Sequence, residues 1–279
     1  MEKISKNQNK IPKIIHYCWF GKGEKSILVK KCIESWKRKC PDYEIIEWNE
    51  NNFNINLNKY VYEAYINKKW AFVSDYVRIY ALYNNGGIYL DTDVEIIKRT
   101  DDFLDNNVFL GFESYDKIST GIIGAEKGNV FIKKILDSYN ERHFVLENKK
   151  CDLTTNVELI TKIAVEEGVV LNNTSQKVNG ISIYPIETFS PKDNETGDIN
   201  ITKNTYTIHY FSGSWLPKIE VFFIKMQNKL SKIFNPKNAK KIVDIISLPY
   251  RVLKKIKNNG WRETMSLIKK KIKCCKKRG

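Results

Sequence analysis

The stretch that decides the fold of this chain runs from Trp70 to Val94 and reads WAFVSDYVRIYALYNNGGIYLDTDV. In its second half a glycine pair leads into the short apolar segment Ile88 to Leu90, and Asp91 and Asp93 follow directly. Because alternate residues of a strand point to the same side, these two carboxylates can face one ligand. Oxygen ligands of this kind suit Mg²⁺ and Mn²⁺, which keep open positions for water and phosphate. The pattern predicts a strand that ends in a metal and diphosphate site, with a polar turn as the alternative.

The first half of the stretch predicts a buried helix. Its apolar side chains recur at helical spacing, and they are Phe72, Val73, Tyr76, Val77, Ile79, Tyr80 and Tyr83. Asp75 and Arg78 are three residues apart, so they are neighbours on the surface of this helix. Charges within a nearly all-apolar helix need a partner or a ligand. Two interpretations stay open: an internal ion pair, and a charged pair that faces a ligand.

A resemblance to a known family rests on three segments, which read IPKIIHYCWFGKG, SDYVRIYALYNNGGIYLDTDV and IHYFSGSW. Together they resemble the sugar-binding Asp-x-Asp glycosyltransferases of glycosyltransferase family 32. That group includes bacterial capsular polysaccharide transferases, yeast mannosyltransferases and, more distantly, the glucosyltransferase domains of large clostridial toxins. The resemblance covers residues 11–125 well and reaches weakly to Trp215. It implies a retaining, metal-dependent hexosyltransferase that takes a hexose from a nucleotide-diphosphate sugar.

The resemblance implies a role for each matching residue. Trp19, at the end of the first predicted strand, is implied to stack on the nucleotide base, a role that suits an exposed indole. Its alternative is an ordinary core tryptophan. Asp75 and Arg78 are implied to hold hydroxyls of the donor sugar and its phosphate side, and Tyr89 to lie near the ribose.

The carboxylate pair receives the catalytic role in the same way. Asp91 is implied to face the ribose and the sugar, or the metal through water. Asp93 is implied to bind the metal directly. The expected cofactor is Mn²⁺ or Mg²⁺, and the expected donor is a UDP-sugar, with a GDP-sugar as the other possibility.

A third set of candidates follows a predicted strand from Tyr206 to Tyr210. The family closes its site with a His or Glu, then a Ser and a Trp, and the matching residues are His209, Ser214 and Trp215, with Ser212 competing for the serine position. Imidazole can bind manganese or donate to a phosphate. A structural histidine on a strand is the alternative.

Two other segments carry less information. Ser119, Thr120 and Gly121 stand where the family often has an amide beside the sugar, so donor selectivity does not follow from this region. The Thr154-Thr155-Asn156 sequence precedes an apolar helix. It is better explained as a helix N-cap than as an active-site loop.

Coarse periodicity predicts an α/β fold of the GT-A nucleotide-sugar transferase type, with a mixed, mostly parallel sheet and helices on both of its faces. The predicted strands are 14–19, 43–48, 88–90, 108–112 and 121–125, and the predicted helices are 26–39, 59–70 and 72–84. Ligands of such sheets bind at the carboxyl ends of the strands. Trp19 and Asp91 are both expected there.

Charge divides the chain unevenly. The whole chain carries a net charge of +15, yet residues 216–279 contain 19 basic and 3 acidic side chains, so the basic excess is C-terminal. We therefore expect a catalytic domain at 1–215 and a basic amphipathic helical region at 216–279. Its apolar residues recur around 219–234, 242–256 and 261–272, a pattern that favours an anionic membrane surface over packing alone. Nucleic acid ranks lower as a partner because the chain has no recognisable nucleic-acid motif.

The remaining expectations concern location and chemistry. Residues 1–13 lack the apolar core of a signal peptide and no run reaches the length of a spanning helix, so we expect a cytoplasmic protein, peripheral on the inner face of the membrane. Six cysteines without a Cys-x-x-Cys pattern indicate free thiols. Lipid-linked or glycan acceptors in bacterial capsular or surface polysaccharide synthesis complete the predicted function. The alternatives are an aspartate-nucleophile phosphohydrolase and a non-catalytic basic protein that binds membrane or nucleic acid.

Overall fold

The computed structural model describes residues 9–261 of the chain. These residues form two compact units. One contains residues up to 192 and 199–215, and the other contains 193–198 and the residues from 216 onward.

Ten strands and eight helices occur among the described residues. The strands are β1 (Ile14–Cys18), β2 (Glu44–Trp48), β3 (Gly87–Leu90), β4 (Val94–Ile96), β5 (Val108–Ser114), β6 (Lys117–Ile118), β7 (Ile122–Ala125), β8 (Gln176–Val178), β9 (Ile181–Tyr184) and β10 (Thr207–His209). The helices are α1 (Ile27–Lys39), α2 (Lys59–Ile66), α3 (Trp70–Asn85), α4 (Val130–Asp137), α5 (Asn156–Glu166), α6 (Ile186–Phe189), α7 (Lys218–Ser231) and α8 (Pro236–Asn259).

The central sheet has the strand order β2-β1-β3-β7-β5-β9-β8, with β6 paired to β5. Strands β2, β1 and β3 are parallel, β7 runs against β3 and β5, and β9 is parallel to β5. Five strands of this order therefore share one direction, as expected of a mixed, mostly parallel α/β sheet. A separate ribbon pairs β10 with β4 in antiparallel register.

Two apolar clusters cover the two faces of the sheet. On one face α3 packs with Val108, Leu110 and Phe112 of β5. On the other face Phe109 of β5 packs with Trp36 of α1 and residues of β4. The alternation along β5 thus places successive side chains in different cores.

A double-glycine turn joins α3 to β3. Gly86 and Gly87 have φ angles of 68° and 104°, which lie in the region that favours glycine. A Cβ on Gly87 would lie 2.7 Å from the backbone oxygen of Ile14, so the glycine also allows β3 to enter the sheet beside β1. The Gly-Gly sequence is therefore required both by the turn and by the strand packing.

The predicted helix 59–70 is wrong as a single element. It ends at Ile66, and a turn that includes Lys68 at a φ of 56° separates it from α3, which begins at Trp70. The apolar periodicity continues across this break because both helices pack on the same core. Helical spacing alone does not reveal a change of axis between two helices that cover one surface.

The second unit contains α7 and α8. Tyr250 of α8 donates to Glu220 of α7 at 2.8 Å, Lys254 pairs with the same carboxylate, and Lys232 pairs with Asp198 at 3.0 Å. Residues Ile233 and Phe234, expected on the first of these helices, follow the end of α7. The third apolar repeat begins at Trp261, the last described residue, and its Met265, Ile268 and Ile272 lie outside the described residues.

Two further observations on the described residues concern the cysteines and the membrane-spanning potential of the helices. Cys18, Cys32, Cys40 and Cys151 are free thiols, as predicted, while residues 274 and 275 lie outside the described part. Within residues 9–261, each helix is too short or too polar to cross a membrane.

Candidate metal and nucleotide-sugar site

The candidate site lies at one edge of the central sheet. Strands β1, β3 and β5 share one direction, so their carboxyl ends meet at this edge together with the beginning of the antiparallel strand β7. Asp91 and Asp93 follow β3 there. This is the edge at which open α/β sheets bind ligands.

Asp91, Asp93 and His209 form a cluster at this edge. Each offers a ligand atom, and these atoms all lie within 4.8 Å of one another. The Nε2 of His209 lies 3.3 Å from an oxygen of Asp93 and 4.0 Å from an oxygen of Asp91. The structure therefore brings together the three residues predicted as metal ligands, although His209 is more than a hundred positions away in sequence.

Backbone hydrogen bonds fix this cluster. The N–H of Asp91 donates to the oxygen of Gly121 at 2.8 Å, and the N–H of Tyr210 donates to the oxygen of Asp93 at 3.0 Å. His209 is paired with Val94 across the β10–β4 ribbon. The indole of Trp36 in α1 donates to the oxygen of Val94 at 2.7 Å, so α1 anchors the ribbon.

Gly121 makes room for the imidazole. A Cβ at this position would lie 2.6 Å from Nδ1 of His209, so a larger residue would displace the ring. The same Nδ1 is buried and has no hydrogen-bond partner, while Nε2 faces the carboxylates. In the segment Ser119 to Gly121, Gly121 therefore serves to accommodate His209.

The charges of Asp93 and His209 stabilise each other. Burial alone would raise the pKa of Asp93, but His209 and the Ser212 backbone N–H, which donates at 2.7 Å, outweigh it and lower the pKa. Burial would lower the pKa of His209, but Asp93 and Asp91 outweigh it and raise the pKa. Asp93 and His209 are therefore a closely packed charged pair with little solvent around them, whereas Asp91 is half-buried.

Arg78 links α3 to the carboxylate edge. Its guanidinium lies 2.8 Å from Asp75 and 3.4 Å from Asp91, and it donates to the oxygen of Thr120 at 2.8 Å. Burial raises the pKa of Asp75 although Arg78 opposes the shift. The internal ion pair of Asp75 and Arg78 is therefore present, and Arg78 also contacts Asp91, whereas contact of the pair with a ligand stays a prediction.

Tyr89 is buried next to Asp91 and Arg78. It is 2% exposed, its hydroxyl donates to Asp91 at 3.0 Å, and the Arg78 guanidinium lies 4.6 Å from its ring centre. The side chain therefore orients Asp91 and Arg78 from within the core. Contact with a ribose, the role implied by the family resemblance, stays a prediction.

Trp19 follows the carboxyl end of β1 at the same edge. Its side chain is half-buried, its indole N–H donates to the oxygen of Gly23 at 2.7 Å, and the Lys25 ammonium lies 5.3 Å from the ring centre. A partly exposed indole fixed by one hydrogen bond can offer a face to a base. Stacking stays a prediction.

The segment after β10 separates the two competing serines. The backbone of Ser212 contacts Asp93, whereas Ser214 and Trp215 lie further along with exposed side chains. Trp215 is 61% exposed. The roles of Ser214 and Trp215 over a bound diphosphate stay predictions.

Glu113 is a residue of this edge that the sequence analysis missed. It lies near the carboxyl end of β5, on the same side of that strand as Phe109, and its side chain is half-buried. Burial raises its pKa, and the charges nearest to it include His209 and Asp91. The signal was an acidic residue closing an apolar strand, the same signal that identified Asp91.

The cluster fits a divalent cation. Two carboxylates and one imidazole are ligands that Mn²⁺ accepts readily, and Mg²⁺ favours the carboxylates. The donor atoms of Asp91, Asp93 and His209 converge within 4.8 Å, and the half-buried Asp91 leaves one side of the cluster accessible. The residues present can therefore hold the ion that the sequence predicted.

Comparison with known proteins identifies the region. Residues 26–110 match the family model described as the glycosyltransferase sugar-binding region containing a DXD motif. The chain carries the sugar-binding region of the DXD glycosyltransferases. The match agrees with the predicted resemblance to the sugar-binding Asp-x-Asp glycosyltransferases over these residues. The DXD region includes Asp75 to Asp93, whereas Trp19 and His209 lie outside the matched residues.

Individual proteins show further similarity. The chain is 31% identical over 146 residues to inositol phosphoceramide mannosyltransferase 3 of Schizosaccharomyces pombe, which covers 48% of this chain and 39% of that protein. The chain thus spans about two fifths of that relative's length. Among solved structures, it is similar to PaToxG glycosyltransferase, at a TM-score of 0.43 with 20% identity, covering 56% of this chain and 69% of that one. It is also similar to the galactosyltransferase LgtC, at a TM-score of 0.40 with 12% identity, covering 80% and 96%.

Proposed function

We propose that this protein is a metal-dependent hexosyltransferase that uses a nucleotide-diphosphate sugar. The observation that carries the proposal is the convergence of Asp91, Asp93 and His209 at the edge of the sheet, within a chain that contains the DXD region. The expected donor is a UDP-sugar, with a GDP-sugar as the other candidate. Retention of anomeric configuration is proposed from the family resemblance.

Asp93, Asp91 and His209 would hold Mn²⁺ or Mg²⁺. When bound, the ion neutralises negative charge on the departing diphosphate. Arg78 adds a fixed positive charge beside Asp91, and its bond to Thr120 holds it there. Tyr89 orients Asp91 by its hydrogen bond, so the ligand set is positioned before the donor arrives.

The acceptor side of the reaction is proposed to be a glycan or a lipid-linked glycan of a bacterial capsular or surface polysaccharide pathway, met at the cytoplasmic face of the membrane. The name of the Schizosaccharomyces pombe relative, a mannosyltransferase of inositol phosphoceramide, agrees with hexose transfer to a lipid. We also propose that the half-buried Glu113 accepts a hydrogen bond from a sugar hydroxyl at the same edge.

A donor screen tests the proposal. The full chain is incubated with individual UDP- and GDP-sugars and Mn²⁺, and release of the nucleoside diphosphate is measured. We expect release from one or a few donors, loss of release with EDTA, and recovery when Mn²⁺ is restored. Release that is unaffected by chelation, or absent with every donor and with glycan acceptors added, would contradict it.

A further inference from the structure

Helix α8 in the second unit presents its more apolar side to solvent. Ile245, Leu248 and Leu253 are 72%, 55% and 66% exposed. Val252 and Ile256 continue the same stripe at helical spacing. An ordinary surface helix turns such a stripe towards the core.

The opposite side of α8 is buried although it is less apolar. Ala239, Val243 and Ser247 recur four residues apart and are each at most 6% exposed. Tyr250 extends this side and bonds to Glu220 of α7. The buried side of α8 thus consists mainly of small side chains, whereas Ile245, Leu248 and Leu253 are exposed and Val252 and Ile256 are half-buried.

Basic residues lie mainly along one side of the exposed stripe. Helix α8 contains seven basic and one acidic residue. Lys237, Lys240, Lys241 and Lys255 are exposed. A helix with aliphatic side chains on one face and lysines beside it matches a surface that is apolar inside and negatively charged outside.

We propose that the stripe formed by Ile245, Leu248, Val252, Leu253 and Ile256 is a docking face for an anionic lipid bilayer. The aliphatic side chains enter the boundary between headgroups and acyl chains, and the flanking lysines contact acidic headgroups. A second protein chain would need acidic groups around an apolar groove, whereas exposed lysines that are spread along α8 from Lys237 to Lys255 fit a continuous anionic plane. The proposal does not depend on the donor or on the metal site.

Vesicle sedimentation tests the proposal with the full chain. The vesicles are pure phosphatidylcholine, or an equimolar mixture with phosphatidylglycerol. We expect binding to the mixture, weaker binding as salt increases, and little binding to the zwitterionic vesicles.

Variants separate the apolar and the charged contributions. The Ile245→Gln, Leu248→Gln, Leu253→Gln variant keeps good helix formers and is expected to bind about tenfold more weakly. The matched control, Ile66→Gln, Leu153→Gln, Val170→Gln, removes three equally exposed aliphatic side chains from the other unit and should bind like the unchanged protein. Replacing Lys240, Lys241 and Lys255 by glutamine should weaken binding and reduce its salt dependence.

Three outcomes would overturn the proposal. They are equal binding by the α8 aliphatic variant and the unchanged protein, equal binding to both kinds of vesicle, and no binding to the mixed vesicles. Analytical ultracentrifugation without vesicles covers the remaining alternative. If the unchanged protein is a dimer and the aliphatic variant a monomer, the stripe is an interface between copies. Circular dichroism and donor hydrolysis should be unchanged in every variant, which separates this test from that of the proposed function.

Discussion

Two buried histidines on neighbouring parts of the same fold show how differently burial can be used. His16 of β1 accepts a hydrogen bond from the Trp48 indole at 3.1 Å, and its other nitrogen lies 2.8 Å from the Gly86 oxygen. Burial lowers its pKa to about 4, so the ring is neutral. His209 of β10 faces two carboxylates, and its Nδ1 has no partner. Both ring nitrogens of His16 therefore have a hydrogen-bond partner within the protein. His209, in contrast, lies in a cluster of ligand atoms that can bind a cation.

The difference teaches that burial alone does not identify a site. A buried polar group with satisfied hydrogen bonds stabilises the fold, and its neutral form is the favoured one. A buried cluster of charged groups that converge on one point is costly unless it binds something. Substitutions near His209 and near His16 test this difference.

Asp93→Asn should abolish the chemistry of the carboxylate edge. It removes one charged ligand from the cluster while keeping the size of the side chain, so we expect turnover to fall about a thousandfold, or about 4 kcal/mol. The matched control is Asp137→Asn, which affects an exposed carboxylate paired with Lys133. Initial rates of Mn²⁺-dependent donor hydrolysis decide the matter. Near-normal activity of the folded Asp93→Asn variant would remove Asp93 from the metal site.

Arg78→Met tests the charged link between α3 and the site. The change leaves Asp75 buried without its partner, and breaking a buried pair costs about 3–5 kcal/mol. Urea unfolding should show this loss at neutral pH. The double variant Asp75→Asn, Arg78→Met should recover a large part of it, because the unpaired charge is removed. A loss below about 1 kcal/mol in the single variant would mean that the ion pair contributes little.

The response of His16 to pH tests the region in which the buried histidine has both of its hydrogen bonds. Burial lowers its pKa from the ordinary 6.5 to about 4, so the folded state binds fewer protons than the unfolded state between these values. The contribution of this group to stability is therefore fully present above pH 6.5 and is lost as the pH falls from there to about 4, by about 3 kcal/mol.

Nuclear magnetic resonance can follow the His16 ring directly, since the chain has three histidines. We expect no protonation above pH 5. A His16→Gln variant should lose less stability than the unchanged protein over the same pH range. Titration of His16 near pH 6.5 would show that its ring is open to solvent and not enclosed between Trp48 and Gly86.

The sequence predicted the site better where the residues are close along the chain. Asp75 and Arg78 were paired correctly by their helical spacing, because both lie on α3. Asp91 and Asp93 do converge, but they lie in the turn between β3 and β4 and not on an alternating strand, so the predicted polar turn is also present. His209 reaches the cluster only through the β10–β4 ribbon, and pairing between distant strands is not visible in local periodicity. The family resemblance predicted His209 as a metal ligand, and the structure shows that it lies beside Asp91 and Asp93.

The limits elsewhere have similar causes. The apolar strands β1, β3, β5 and β7 were predicted to within about two residues, whereas β8 and β9 were not identified. These two strands carry the polar residues Gln176, Lys177 and Ser182, so they contain no continuous apolar run that would mark a strand. For α8, sequence periodicity gave the apolar stripe but could not tell which side of the helix is packed.

Glu113→Gln tests whether Glu113 contacts the sugar or belongs to the metal site. If the carboxylate accepts a hydrogen bond from a sugar hydroxyl, the amide should reduce transfer roughly ten- to hundredfold, the range for hydrogen bonds to charged groups. Binding of the nucleoside diphosphate with Mn²⁺ should stay unchanged, because Glu113 is not among the three clustered ligands. Steady-state transfer rates and calorimetric titration separate the two quantities. A matching loss of nucleotide affinity would place Glu113 in the metal site instead.

Trp19→Ala tests whether the nucleotide site extends to the end of β1, the strand that contains His16. The indole follows β1 at the carboxyl edge, half-buried and held by its bond to Gly23, so its removal should not disturb the two hydrogen bonds of His16. Loss of base stacking should weaken nucleotide binding by about 1–3 kcal/mol. Calorimetry with UDP or GDP and Mn²⁺ measures this, and Trp19→Phe is the matched control that keeps an aromatic face. Because a core tryptophan would instead cost stability on removal, unfolding of both variants is measured in parallel. Unchanged nucleotide affinity together with a large loss of stability would show that Trp19 is a core residue and that the nucleotide site does not include it.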